Sequence, residues 1–153
     1  MITLQYYPFR SYGGADFMKR DIFLLFNNQL FEPDILNQLG CSRVFLAEDR
    51  KLIASEKQHK LKLYLNLCSV REYKEELQDA GVKVDHISLE NRNDNLEFEK
   101  FFLSYLNTEN LSKVILFEIE DKYLENRLLT SFEQNNISYE IKSSPMFLFT
   151  RDD

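Results

Sequence analysis

Polar residues that directly follow short apolar runs are the positions in this chain where chemistry could be carried out. Asn27-Asn28-Gln29-Leu30 follows Ile22-Phe23-Leu24-Leu25-Phe26. Glu48-Asp49-Arg50 follows Val44-Phe45-Leu46-Ala47, and Glu118 follows Val114-Ile115-Leu116-Phe117. Asn28 and Gln29 each offer a donor and an acceptor to a heterocycle or a sugar, and Glu48 can accept from a ring N–H or a hydroxyl. Singly, each reads better as loop solvation or a helix cap. The case for a site rests on their meeting in one crevice. His59 stands near the start of a long helical pattern with Lys60 and Lys62 beside it. It is placed either to face that crevice or as part of a solvated basic helix face. His86 falls inside an apolar run and reads as structural.

Several familiar chemistries lack their motifs. No G-x-G-x-x-G follows the first run and no Walker loop occurs, so the usual cradles for dinucleotide and triphosphate phosphates are missing. No Ser-His-Asp or Cys-His set is assembled by a motif. A phosphorelay receiver needs an acidic pair after its first strand and a phosphoacceptor Asp after its third. Here those places hold Asn27-Asn28 and Ser88-Leu89-Glu90. Cys41 and Cys68 show no C-x-x-C spacing. Each sits in an apolar stretch and is expected to be a small buried hydrophobe rather than a metal ligand or a disulfide partner.

The elements that must position these residues follow from the hydrophobic pattern. Continuous β-branched and aromatic runs read as strands buried on both faces. Four are named by the motifs above and by Val82-Lys83-Val84-Asp85-His86-Ile87; Tyr139-Glu140-Ile141 is a fifth, and Met146-Phe147-Leu148-Phe149 is a candidate sixth. Helical patterns occupy 33–39, 55–80, 96–107 and 121–135, with Gly40, Gly81 and Asn136 as natural stops. In the second, Leu61, Tyr64, Leu65, Cys68 and Tyr73 are expected to share the packed face, and Arg71 to bridge Glu75 one turn on. Strand and helix alternate, which implies right-handed crossovers and a parallel sheet. The expected fold is a Rossmann-like three-layer α/β sandwich with a five-stranded sheet in the order 3-2-1-4-5. In such a sheet, ligands bind beyond the carboxyl ends of the strands.

The chain has 153 residues, the size of one domain, and thirteen Phe with eight Tyr supply enough apolar area for a core. Its net charge of −6 disfavours autonomous nucleic-acid binding. Residues 1–17 show no clear period and are expected to be an extension or a packed arm preceding a domain over 18–153. The start lacks the apolar segment of a signal peptide, and a cytoplasmic location is expected. The other end, Arg151-Asp152-Asp153, directly follows an apolar run, the pattern expected of a domain cut from a longer parent. Two readings from the residues alone are a nucleotide-binding α/β protein and an interaction scaffold that dimerises through exposed apolar surface, with 146–149 as the candidate patch.

The sequence also resembles a known family. Leu24-Leu25-Phe26-Asn27-Asn28-Gln29-Leu30 is similar to the L-V-L-G-D-Q-L segment of deoxyribodipyrimidine photolyase-related proteins, the bacterial iron–sulfur class of cryptochromes and photolyases. Val44-Phe45-Leu46-Ala47-Glu48-Asp49 resembles their second strand, and His59-Lys60-Leu61-Lys62-Leu63 their H-K-Q-K-[IL] motif. Residues 67–77 resemble L-S-A-M-R-H-F-A-E-E-L, Gly81-Val82-Lys83-Val84-Asp85-His86 resembles G-x-x-V-D-Y, and Phe147-Leu148-Phe149-Thr150-Arg151 resembles F-L-x-S-R. The matches run in order from Leu24 to the end. The family's Gly-Asp of the first loop stands as Asn27-Asn28 here.

The resemblance implies an N-terminal antenna and scaffold domain of a DNA-repair or photoreceptor protein, without catalysis of its own. Its implied cofactor is 6,7-dimethyl-8-ribityllumazine, near Asn28, Gln29, Leu30, Glu48, His59 and Lys60. FAD and a four-cysteine iron–sulfur cluster belong, by the same resemblance, to a C-terminal helical domain. That domain is the implied partner, and damaged DNA is met only through it.

Overall fold

The computed structural model of the protein describes residues 20–53, 59–92 and 95–146. Its strands are β1 (Asp21–Leu25), β2 (Arg43–Ala47), β3 (Lys83–Ile87), β4 (Lys113–Phe117) and β5 (Ser138–Lys142). Its helices are α1 (Pro33–Gln38), α2 (Arg50–Ile53), α3 (Lys60–Asp79), α4 (Phe98–Thr108) and α5 (Lys122–Gln134). All four strand pairings are parallel, in the order β3-β2-β1-β4-β5. This is the expected doubly wound α/β sandwich.

Alternation along the strands divides the core into two layers. Phe23, Leu25, Val44, Leu46, Ile115 and Phe117 point to one face, where Leu36 of α1, Leu39 just after it, and Val70, Tyr73 and Leu77 of α3 cover them. Ile22, Leu24, Phe45, Val114 and Leu116 point to the other, under Phe98, Phe102 and Leu106 of α4 and Leu124, Leu128 and Phe132 of α5. Phe102 joins that second layer together, with ring centroids 4.8 Å from Phe45, 6.1 Å from Phe98 and 6.1 Å from Phe132. The tilted, stacked and edge-on contacts among these rings add to the burial of the rings themselves. The central strand β1 is buried along its whole length, whereas the border strands β3 and β5 are only partly covered.

Chain reversals use the residues that tolerate them. Pro33 opens α1, where its missing N–H costs nothing. Asn136 follows α5 with φ +54° and closes it as expected, since Asn enters the left-handed region more easily than other side chains.

Helix α3 departs from expectation. Tyr73 packs inward, but Leu61, Tyr64 and Leu65 are 64%, 68% and 65% exposed, and Cys68 is exposed too. Length explains this. A helix of 20 residues spans about 30 Å, while a strand of 5 residues spans about 17 Å. The buried residues Val70, Tyr73 and Leu77 lie in the second half of α3, so its first turns overhang the carboxyl edge of the sheet. Cys41, in contrast, is buried. Helix α2 was not anticipated, being a single turn. The expected start of α3 at 55, the arm at 1–17 and most of the candidate sixth strand lie outside the described residues; Met146 sits in a turn. No helix among the described residues is long and apolar enough to cross a membrane.

Candidate functional site

In the order β3-β2-β1-β4-β5 the strand order reverses between β1 and β4, and the crevice of such a sheet opens at that point. A cavity of about 680 Å³ lies there. The loop after β1 contributes Phe26, Asn27 and Asn28. Helix α2 contributes Leu52 and Ile53, and the loop after β4 contributes Ile119, Glu120 and Asp121. The overhanging turns of α3 add Lys62 and Asn66 as a wall, and Leu124 of α5 closes the base. A second groove of about 330 Å³ shares Asn27, Asn28, Lys62 and Asn66 and continues along α3 past Leu30, Leu65 and Ser69. The combined site has an apolar floor and a rim of amides, one ammonium and two carboxylates.

Local bonding fixes the rim. Gln29 is buried, accepts from the Phe26 N–H at 3.3 Å and donates Nε2 to the Glu118 carbonyl at 3.1 Å. It ties the ends of β1 and β4 together beneath the crevice. Asn27 Nδ2 donates to Asn66 Oδ1 at 3.2 Å, linking the first loop to the α3 wall. Asp121 caps α5 by accepting from the Tyr123 and Leu124 N–H groups at 2.9 and 3.1 Å, which satisfies two otherwise orphaned donors. The α5 N-terminus therefore faces the crevice with its cap in place.

Glu48 occupies a separate neighbourhood at the ends of β2 and β3. Its side chain is fully buried. Arg71 grips it with two bonds, Nε to Oε1 at 2.6 Å and Nη2 to Oε2 at 2.8 Å, and the Leu89 N–H donates to Oε2 at 3.0 Å. His86 Nε2 lies 3.2 Å from Oε1, out of line for a hydrogen bond. Burial pushes the Glu48 carboxyl upward, but the Arg71 and Leu89 donors outweigh it and hold it below the ordinary value of 4.5. Burial likewise holds His86 below 6.5, against the pull of Glu48. Arg71 thus reaches across to Glu48 rather than along its own helix to Glu75, because a buried carboxylate without a partner is far costlier than a solvated one. A parallel arrangement joins Arg92 to Asp49 at 2.6 Å, with the guanidinium 4.3 Å above the Phe101 ring.

The residues singled out from sequence therefore separate. Asn28 and Leu30 line the grooves, while Gln29 and Glu48 are buried and bonded beneath or beside them. His59 caps α3, its Nδ1 accepting from the Leu61 N–H at 3.2 Å, and Lys60 is exposed on the first turn. Sequence reasoning missed Lys62, Asn66, Leu52 and Ile53 as lining residues. The 62, 66, 69 spacing along one flank of α3 was the available signal for the wall. Among the described residues no group of three or more His, Cys, Asp or Glu could hold a metal. Cys41 is buried, its thiol pushed up to about 12 by that burial, and Cys68 lies exposed on α3. An iron–sulfur cluster does not fit on these residues.

Fold and crevice together define a doubly wound α/β domain with an open site at its topological switch point. The chain belongs to the deoxyribodipyrimidine photo-lyase-related protein family, whose family model matches residues 23–153. A search of curated proteins finds no match.

Proposed function

We propose that this domain is an antenna and scaffold module. It holds a ribityl-lumazine of the 6,7-dimethyl-8-ribityl type in the β1–β4 crevice and breaks no bond itself. The crevice carries the reading: about 680 Å³ of space, within the range that takes a small heteroaromatic ligand. Phe26, Leu52, Ile53, Ile119 and Leu124 offer an apolar bed for a flat ring. Asn27, Asn28 and Asn66 offer donor and acceptor edges to its carbonyls and ring nitrogens, and Glu120 and Asp121 offer acceptors to ribityl hydroxyls. Lys62 stands where it can balance negative charge on the ring. When bound, such a ring supplies absorption of light and passage of its excitation to a flavin. In this reading the flavin belongs to a helical partner domain, and damaged DNA is met through that domain.

The test is fluorescence titration of the purified chain with the lumazine. Saturable binding is expected, weakened by Lys62→Glu and by Asn66→Leu, with Lys100→Glu on α4 as a neutral control. Absence of lumazine binding, together with saturable binding of ATP or FAD in the same crevice, would replace this reading with nucleotide binding.

A further inference from the structure

The β4–α5 side of the crevice carries the chain's own carboxylates where a doubly wound fold commonly holds a phosphate. In such folds the phosphate sits at a helix N-terminus beside the switch point, on backbone N–H groups that the helix leaves unbonded. Here α5 begins at that place, and the stretch Glu118-Ile119-Glu120-Asp121-Lys122-Tyr123-Leu124-Glu125 sets four carboxylates against one ammonium. Three donors at this corner are already taken. Asp121 Oδ1 accepts from the Tyr123 and Leu124 N–H groups, and Glu125, 4% exposed, accepts from the Ile119 N–H at 3.1 Å. Glu118, also buried, accepts from the Ser144 N–H at 3.3 Å. Lys122 lies 3.7 Å from Glu125 and does not line the cavity. Glu120 and Asp121 are exposed and do line it. Among the described lining residues the cation is Lys62, which belongs to the α3 wall.

We propose that this corner makes the crevice select against phosphate: its ligand carries an uncharged polyol tail, and the phosphorylated form of the same molecule is rejected. This selectivity rests on the crevice being the ring site proposed above. A hydroxyl that reaches the corner donates to Glu120 or Asp121 and is held. A phosphate monoester brings a charge of about −1.5 to −2 toward the same two carboxylates. It finds the N–H groups occupied, and freeing them means giving up the α5 cap. Like charges set against one another in this way exclude the wrong partner.

Titration of the purified full chain with two matched pairs tests this: the ribityl-lumazine against its 5′-phosphate, and riboflavin against flavin mononucleotide. The members of each pair differ by the phosphate alone. At low salt the phosphorylated member should bind at least about tenfold more weakly. The ratio should shrink toward one in about 1 M salt, where the screening length is about 3 Å. Glu120→Gln with Asp121→Asn should narrow the ratio at low salt. Asparagine keeps the α5 cap, and an unchanged circular-dichroism spectrum verifies the fold. Equal binding within each pair overturns the selectivity, as does a ratio that the double substitution leaves unchanged; the lumazine reading survives either result. Riboflavin bound, flavin mononucleotide rejected and no lumazine bound supports the selectivity and removes the lumazine. Binding of none of the four overturns both.

Discussion

Replacing Glu48 with Gln tests whether the buried carboxylate organises the carboxyl edge of β2 and β3. The substitution keeps the shape and exchanges one oxygen for an NH2 group. A donor then faces a donor, either at the Arg71 fork, now held at 2.6 and 2.8 Å, or at the Leu89 N–H, now at 3.0 Å. Breaking a buried pair costs about 3–5 kcal/mol. Arg71 is half exposed and regains water, so the loss belongs near the lower end, about 3 kcal/mol, or about 6–12 °C in Tm for a domain of this size. Urea unfolding followed by circular dichroism, repeated from pH 8 to pH 4, is the assay. Folding favours the ionised Glu48, whose carboxyl lies below its ordinary 4.5. Its contribution is complete above pH 4.5 and is lost as pH falls through that lowered value. Folding favours neutral His86, held below 6.5; its contribution is complete above pH 6.5 and declines as acid protonates the unfolded chain first. Wild type should therefore lose stability on acidification in two stages. Glu48→Gln should shrink the lower stage, to which the likewise lowered Glu97 and Glu140 carboxyls also contribute, and His86→Gln should abolish the upper. A loss under about 1 kcal/mol, the value of an ordinary hydrogen bond, with the acid slope unchanged, would refute the reasoning.

Two further substitutions probe the supports of the fold. Phe102→Ala removes a ring that is 0% exposed and touches four others; a loss of about 3–5 kcal/mol in urea unfolding is expected. Arg92→Ala strands Asp49, which is 2% exposed and caps α2 through the Lys51 and Leu52 N–H groups. A comparable loss of about 3–5 kcal/mol is expected, and Arg92→Lys should recover only part of it because it cannot reproduce the fork or the stacking on Phe101.

The sheet was legible because its strands are short, continuous apolar runs separated by helical patterns, and the crossover rule then restricts the order. The crevice was half legible. Asn28 could be placed by position, since the loop after β1 must border the switch point. The α3 wall could not. Leu61, Leu63, Leu65 and Leu67 recur at every second position, which on a helix spreads them over both sides and hides which side is buried. That ambiguity misassigned Leu61, Tyr64, Leu65 and Cys68 to the core and favoured Lys60 over Lys62 as the lining cation. Arg71 illustrates a second limit. Glu75 is visible as a local partner one turn away, whereas Glu48 becomes its neighbour only through tertiary folding, and no local pattern announces a pairing across 23 positions.

The placement of β1 has a consequence for biosynthesis. Its Ile22 pairs with Val114 on one side and its Phe23 with Val44 on the other. Translation delivers β2 soon after β1 but β4 only late. A nascent polypeptide therefore carries a three-strand half-sheet whose most apolar rim, along Ile22 and Leu24, waits uncovered at the ribosome. Late closure of distant pairings is slow and prone to aggregation, so the yield of native protein should depend on chaperones that shield that rim until the β4 segment emerges.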